Sequence, residues 1–170
     1  VMFDRVTNDI LCDKVIINDE LAAYEAVQSL ILKGKKKIAL VTTVDYVSVG
    51  KFRTDGYIKA LVDNDIAVDE NLIIKIENVD NCEITIAQLL EEKGIDAVFA
   101  VNELFAVTII KIANKMGIKV PEDLAVIAFT DGIISKYSTP TITTVSQNGA
   151  EMGSVAAKIL IERLESEEDE

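Results

Sequence analysis

The sequence predicts an α/β fold, a parallel sheet wound on both faces by helices. Three observations carry this. Short β-rich runs alternate with longer runs of helical period, the pattern of consecutive βαβ units. Two of the runs, "AVFAV" at 97–101 and "LAVIAF" at 124–129, are apolar at every position, as strands covered on both faces should be. Each run then ends in carboxylate, amide, hydroxyl or guanidinium groups, and ligands of open parallel sheets bind beyond the carboxyl ends of the strands.

The elements follow in order. "VMF" at 1–3 reads as a strand remnant and "KVIIN" at 14–18 as extended chain. "DELAAYEAVQSLILKG" is a helix, because Leu21, Tyr24, Ala26, Val27, Leu30 and Ile31 recur at helical spacing and Gly34 closes it. "KIALVTT" at 37–43 is a strand, and 50–65 a helix with Phe52, Tyr57, Ile58, Leu61 and Val62 on its inner side. "NLIIKIE" at 71–77 is a strand, followed by the helix "EITIAQLLEEKG" that ends at Gly94. After the strand 95–101, Asn102 caps the helix "ELFAVTIIKIANKMG". "LAVIAF" and "TITTV" at 141–145 are the last strands. Asn148 with Glu151 resembles a capping box at the start of a final helix, 149–165, before the acidic end "SEEDE".

Composition narrows the function. With 170 residues, 49% apolar and 27% charged, the chain is globular and long enough for one well-buried domain or somewhat more. No apolar run approaches the roughly 20 residues of a membrane span. The start "VMFDRV" carries charge at once, unlike an export signal, and it lacks an initiator Met, so a piece of a longer chain is expected. A net charge of -12 repels a phosphate backbone and disfavours nucleic-acid binding by this chain. Cys12 and Cys82 stand in unrelated contexts, which fits a reducing compartment and no metal cluster. The absence of histidine excludes Ser-His-Asp and Cys-His nucleophile systems and nearly all zinc sites. There is no GxGxxG and no GxxxxGK[ST], so no cofactor is implied. Nothing requires catalysis.

The polar strand ends are Asp4 and Arg5, then Asp45 and Tyr46 with Arg53 in the next helix, then Glu77 and Asn78, Asn102 and Glu103, and Thr130 and Asp131. Such groups form directional hydrogen bonds and suit a polyhydroxylated or otherwise polar small molecule. Each also has a plain structural role open to it. Asn102 is a good N-cap, Asp131–Gly132 a common turn pair, and Arg53 an ordinary solvated helix charge.

"GYIKAL", "AVNELFA", "GIKVPEDLAVIAFTDG", "SKYSTPTITTVSQNGAEMG" and "AAKILIERLE" occur in an order and spacing that resembles the effector-binding region of LacI-type transcription regulators, the lactose- and galactose-repressor family. The most specific block runs from Gly117 to Gly153. The resemblance implies a type I periplasmic-binding-protein-like fold: two α/β lobes hinged by three crossovers, the effector in the cleft, and an N-terminal helix-turn-helix domain that reads operator DNA. It implies a remnant of the N-terminal lobe and a crossover at 1–17, a complete C-terminal lobe at 18–143, and a crossover, a returning N-lobe helix and an acidic tail at 144–170. The DNA-binding domain, most of the N-terminal lobe and the last crossover strand would lie outside this chain.

The expected ligand-binding residues are Asp4, Arg53, Asn102, Thr130 and Asp131, at positions the resemblance matches, together with Asp45 and Tyr46 from the polar strand ends. Arg53, three residues before Gly56–Tyr57, matches the arginine that commonly holds the effector. Glu103 stands where the family usually has Asp, and Thr130 where it usually has a ligand-contacting Asp. Gly34–Lys35 replaces the usual Gly-His. The implied function is that of a cytoplasmic, homodimeric regulator sensing a small polar effector, a sugar. The alternatives are a solute-binding protein of a transport system and a small α/β enzyme. For the dimer, Val107 and Ile110 are candidates, since the apolar stripe of their helix is wider than one core face requires; burial against the sheet would explain the same width. Helix 149–165 is expected to present an apolar face of Met152, Val155, Ala156, Ile159 and Leu160.

Overall fold

A computed structural model describes residues 1–7, 9–43, 48–77, 82–91, 94–130 and 132–166. The strands are β1 (Met2–Phe3), β2 (Lys14–Val15), β3 (Ile38–Thr43), β4 (Ile73–Ile76), β5 (Ala97–Ala100), β6 (Ala125–Phe129) and β7 (Thr143–Val145). The helices are α1 (Asp19–Leu32), α2 (Ser48–Asp63), α3 (Cys82–Glu91), α4 (Glu103–Lys115), α5 (Ile133–Tyr137) and α6 (Gly149–Glu165).

The main sheet has five strands in the order β4-β3-β5-β6-β7, and every pair is parallel. After β3 the chain moves outward to β4, then crosses back to β5 on the other side of β3. The strand order therefore reverses between β3 and β5, and beyond their carboxyl ends lies the crevice that such a reversal opens. Helices α1 and α2 pack together on one face, α3 and α4 on the other. The central strands β5 and β6, and β3 as far as Val41, are apolar because water reaches neither face: Ala39, Leu40, Val41, Val98, Phe99 and Ala100 are fully buried.

Local chemistry ends the helices where expected. Gly34, at φ 83°, takes up the left-handed turn after α1. Asn102 caps α4, its Oδ1 accepting the Phe105 N–H at 2.9 Å. Other expectations need correction. Phe52 and Val62 face outward, 41% and 58% exposed, and it is Tyr57, Ala60 and Leu61 that α2 buries. Helix α2 starts at Ser48 and stops at Asp63, with Asp65 in a left-handed turn at φ 57°. The short helix α5 has no counterpart in the sequence-based assignment. Asn148 makes no capping box. It sits at φ 49°, and its backbone N–H donates to Ser146 Oγ while its own Oδ1 accepts from that hydroxyl.

β1 and β2 form a small parallel sheet of their own, with Met2 opposite Lys14 and Phe3 opposite Val15. Helix α6 packs on both strands, and Arg163 reaches Asp13 beside β2. The expected apolar face of α6 is divided. Met152 and Ala156 are buried, Ile159 is half-buried, and Val155 and Leu160 are exposed together with Ile161 and Leu164. Ile110 is 3% exposed in the core and Val107 is half-buried against it. Ile110 is thus buried within the chain, because α4 packs on α3 and α5 as well as on β5 and β6, which accounts for the extra width of its stripe. Among the described residues no helix is long and apolar enough to cross a membrane.

Candidate functional site

Arg53 is a buried residue, not a surface charge. It lies in the second turn of α2, 5% exposed. Its Nε donates to Asp19 Oδ1 at 2.8 Å and its Nη1 to the Val101 carbonyl at 2.7 Å. The guanidinium carbon stands 3.6 Å from the centre of the Phe129 ring. Nη2 is also buried, and among the described residues it has no hydrogen-bond partner. One side chain therefore ties together the start of α1, the carboxyl end of β5 and the carboxyl end of β6.

The approach that makes this possible is set by Gly56, one helical turn after Arg53. A β-carbon there would fall 2.2 Å from the Glu20 carbonyl oxygen and 2.9 Å from Ala23 Cβ. Only a residue without a side chain lets α1 and α2 come so close, and that closeness carries Asp19 to Arg53. Asn18 caps α1 by accepting the Leu21 N–H at 3.0 Å, which leaves Asp19 as the first helical residue.

The pair sits in a low-dielectric setting. Burial pushes the Asp19 carboxyl up from its ordinary range, against the opposing pull of the Arg53 charge and hydrogen bond. Burial likewise pushes Arg53 down, opposed by Asp19. Asp4 adds its negative charge to both. It stands at the end of β1 with φ 61°, its N–H donating to the Val15 carbonyl at 3.1 Å and its side chain 41% exposed, with Arg5 at 3.9 Å.

Asn102 follows Val101 directly, so its backbone borders Arg53, but its Oδ1 serves the α4 cap. Thr130 follows Phe129. Its φ is 81°, its N–H donates to the Val145 carbonyl at 2.9 Å, and its hydroxyl donates to Gln147 Oε1 at 2.7 Å. The hydroxyl expected at the ligand is thus engaged with the segment between β7 and α6. Glu103 has a bracing role: its Oε2 accepts the Ser135 N–H at 3.2 Å and the Ser135 hydroxyl at 3.1 Å. Gly132 lies so close that a β-carbon would meet Glu103 Oε1 at 2.2 Å. Asp45, Tyr46 and Asp131 lie outside the described residues.

Arg53, Asn102 and Thr130 are therefore brought to adjacent strand ends, with Asp4 at their margin. Sequence reasoning missed Asp19, whose acidic side chain in a first helical turn looks like an ordinary complement to the helix dipole. It also missed Phe129, which looks like core. A hollow of about 470 Å³ lined by Ile31, Gly34, Lys35, Lys36, Asn64, Asp65 and Ile66 lies at the amino end of β3, away from this edge.

Residues 27–170 match the family described as periplasmic binding protein-like domain. The transcriptional repressor PurR of Vibrio atlanticus is 34% identical over 93% of this chain and 48% of its own length. Among solved structures, a transcriptional regulator CelR–cellobiose complex has a TM-score of 0.86 at 29% identity, covering 93% of this chain and 49% of that one. The transcription regulator CcpA of Lactococcus lactis has a TM-score of 0.87 at 30% identity, covering 99% of this chain and 62% of that one. This chain spans about half the length of the curated relatives it matches. It belongs to the periplasmic binding protein-like domain family, in the form found in LacI-type transcription regulators.

Proposed function

We propose that this chain is the effector-sensing part of a transcription regulator and that it takes a small polar molecule, a carbohydrate, at the carboxyl edge of the main sheet. The observation that carries this is Arg53. A buried guanidinium is held on two of its nitrogens while the third lacks a partner among the described residues, beside the strand-order reversal. A donor so placed is costly to leave unmade and is suited to an incoming oxygen. The cellobiose complex of CelR supports a sugar as the ligand class.

In this reading β1, β2 and α6 belong to a second lobe, residues 18–143 form the first, and operator DNA is bound by a part of the protein other than this chain. The small separate sheet of β1 and β2, with α6 packed on it, supports that division. The Thr130 bonds to Val145 and Gln147 give the cleft a physical link to the crossover between the lobes. An effector then acts only through its differential affinity for two lobe arrangements. The protein works as a cytoplasmic homodimer whose two DNA-binding domains read paired half-sites. A transport solute-binding protein and an enzyme are less well supported, since the relatives bear the names of transcription regulators.

The test is isothermal calorimetry of the full-length protein against a panel of neutral mono- and disaccharides, cellobiose included. A sugar that binds the wild type and not Arg53→Ala sustains the reading. Equal binding by the two, or no binding by any sugar, removes it.

A further inference from the structure

Arg53 would ordinarily be the residue that draws an anion, because a guanidinium fork matches carboxylate and phosphate oxygens. Here its charge is already answered from within. Asp19 accepts from Nε at 2.8 Å, and the two side chains are only 6% and 7% exposed. No solvent separates them, so the attraction is strong and the pair is electrically closed. Asp4 stands close enough to act on both charges. Among the described residues the charges acting on Arg53 are thus the carboxylates of Asp19 and Asp4 and the exposed cation of Arg5.

We infer that Asp19 is a specificity-determining residue: by neutralising Arg53 it makes the site accept uncharged, hydroxyl-bearing effectors and reject phosphorylated or carboxylated ones. This rests on the effector site proposed above and names the ligand class that site takes. The physical reason is that Nη2 remains as a hydrogen-bond donor but carries no uncompensated charge. A neutral hydroxyl or ether oxygen satisfies it at no electrostatic cost. An anionic oxygen on Nη2 would be brought up against the Asp19 and Asp4 carboxylates in a site of low dielectric, where like charges repel far more strongly than in water. One face of the guanidinium is covered by Phe129, so an anion has no second route of approach on that side.

The experiment uses the full-length protein and inorganic phosphate as the anionic probe, by calorimetry and thermal shift. The wild type is expected not to bind phosphate with a dissociation constant tighter than about 1 mM. Asp19→Asn keeps the side-chain shape and removes the charge, and it is expected to bind phosphate at least about tenfold more tightly than the wild type. Phosphate binding by the wild type below that limit, or equal binding by the two proteins, overturns the inference. Should Asp19→Asn not fold, the wild-type measurement decides by itself: no binding sustains the inference and submillimolar binding ends it. Failure of every neutral sugar to bind would strike the effector-site reading instead, whereas the phosphate measurements address Asp19 alone.

Discussion

A β-carbon on Gly56 would sit 2.2 Å from the carbonyl oxygen of Glu20, so the backbones of α1 and α2 touch at this point. The contact fixes the distance between Asp19, just before Glu20, and Arg53, one helical turn before Gly56. Gly56→Ala is expected to push the helices apart, because a backbone carbonyl cannot swing away as a long side chain can. Overpacking of this kind costs typically about 1–3 kcal/mol. Urea denaturation reads the stability loss, and calorimetry is expected to find effector affinity reduced although residue 56 touches no ligand. A variant as stable as the wild type would mean that α1 and α2 have room to spare.

Arg53→Ala leaves Asp19 buried with its main partner gone. Breaking a buried pair from one side costs about 3–5 kcal/mol, so this variant is expected to lose stability as well as effector binding. The double change Asp19→Leu with Arg53→Met is expected to recover most of the stability while remaining unable to bind. Chemical denaturation of the three proteins checks the order. A double variant no more stable than Arg53→Ala would show that the pair does more for the fold than neutralise itself.

The pH dependence of stability has a sign that separates Asp19 from the surface carboxylates. Glu83 and Asp63 are pulled below their ordinary values by Lys111 and Lys59, so they favour the fold above that range and cease to as pH falls. Asp19 is raised above 3.8, chiefly by burial. Its contribution is therefore present below 3.8 and is lost as pH rises through its higher folded value. The stability of wild type minus that of Asp19→Asn is expected to fall as pH rises through this window. Denaturant titrations across the mildly acid range measure it, and a difference that grows with pH would contradict the direction.

Gly132 and Glu103 are expected to be energetically coupled. Gly132→Ala drives a β-carbon into the Glu103 carboxylate and forces it off Ser135, whose side chain is 3% exposed. Leaving those buried donors without an acceptor costs about 1–3 kcal/mol. Glu103→Ala forfeits the same bonds directly, so Gly132→Ala should cost less in that background than alone. A double-mutant cycle by thermal or urea unfolding measures the term, and additivity within about 0.5 kcal/mol would deny the contact.

Thr130 is a β-branched residue at φ 81°, a conformation that costs an L-residue roughly 1–2 kcal/mol. Thr130→Gly relieves this but gives up the hydroxyl bond to Gln147, worth about 1 kcal/mol. The two effects oppose, and net stability is expected to change by less than about 1 kcal/mol. Effector affinity measured alongside would then report whether the link to the crossover matters for binding.

Much of the fold was legible in local pattern. The both-face apolar runs became β5 and β6, Gly34 ended α1, and Asn102 capped α4, because period, capping and left-handed turns depend on residues a few positions apart. The strand-end positions of Asn102 and Thr130, and the place of Arg53 early in the helix after β3, followed from the same alternation. Which partner each of these groups would meet was not legible. Asp19 and Arg53 are 34 positions apart, and their bond exists only because two helices approach closely at a glycine. Thr130 turned to Gln147, 17 positions on, and Ile110 turned inward, since burial is decided by what packs opposite a side chain. Short-range chemistry determined where the chain would run and which groups would reach the edge of the sheet. Long-range packing alone decided which of those groups neutralise one another, because that depends on distances that no local pattern contains.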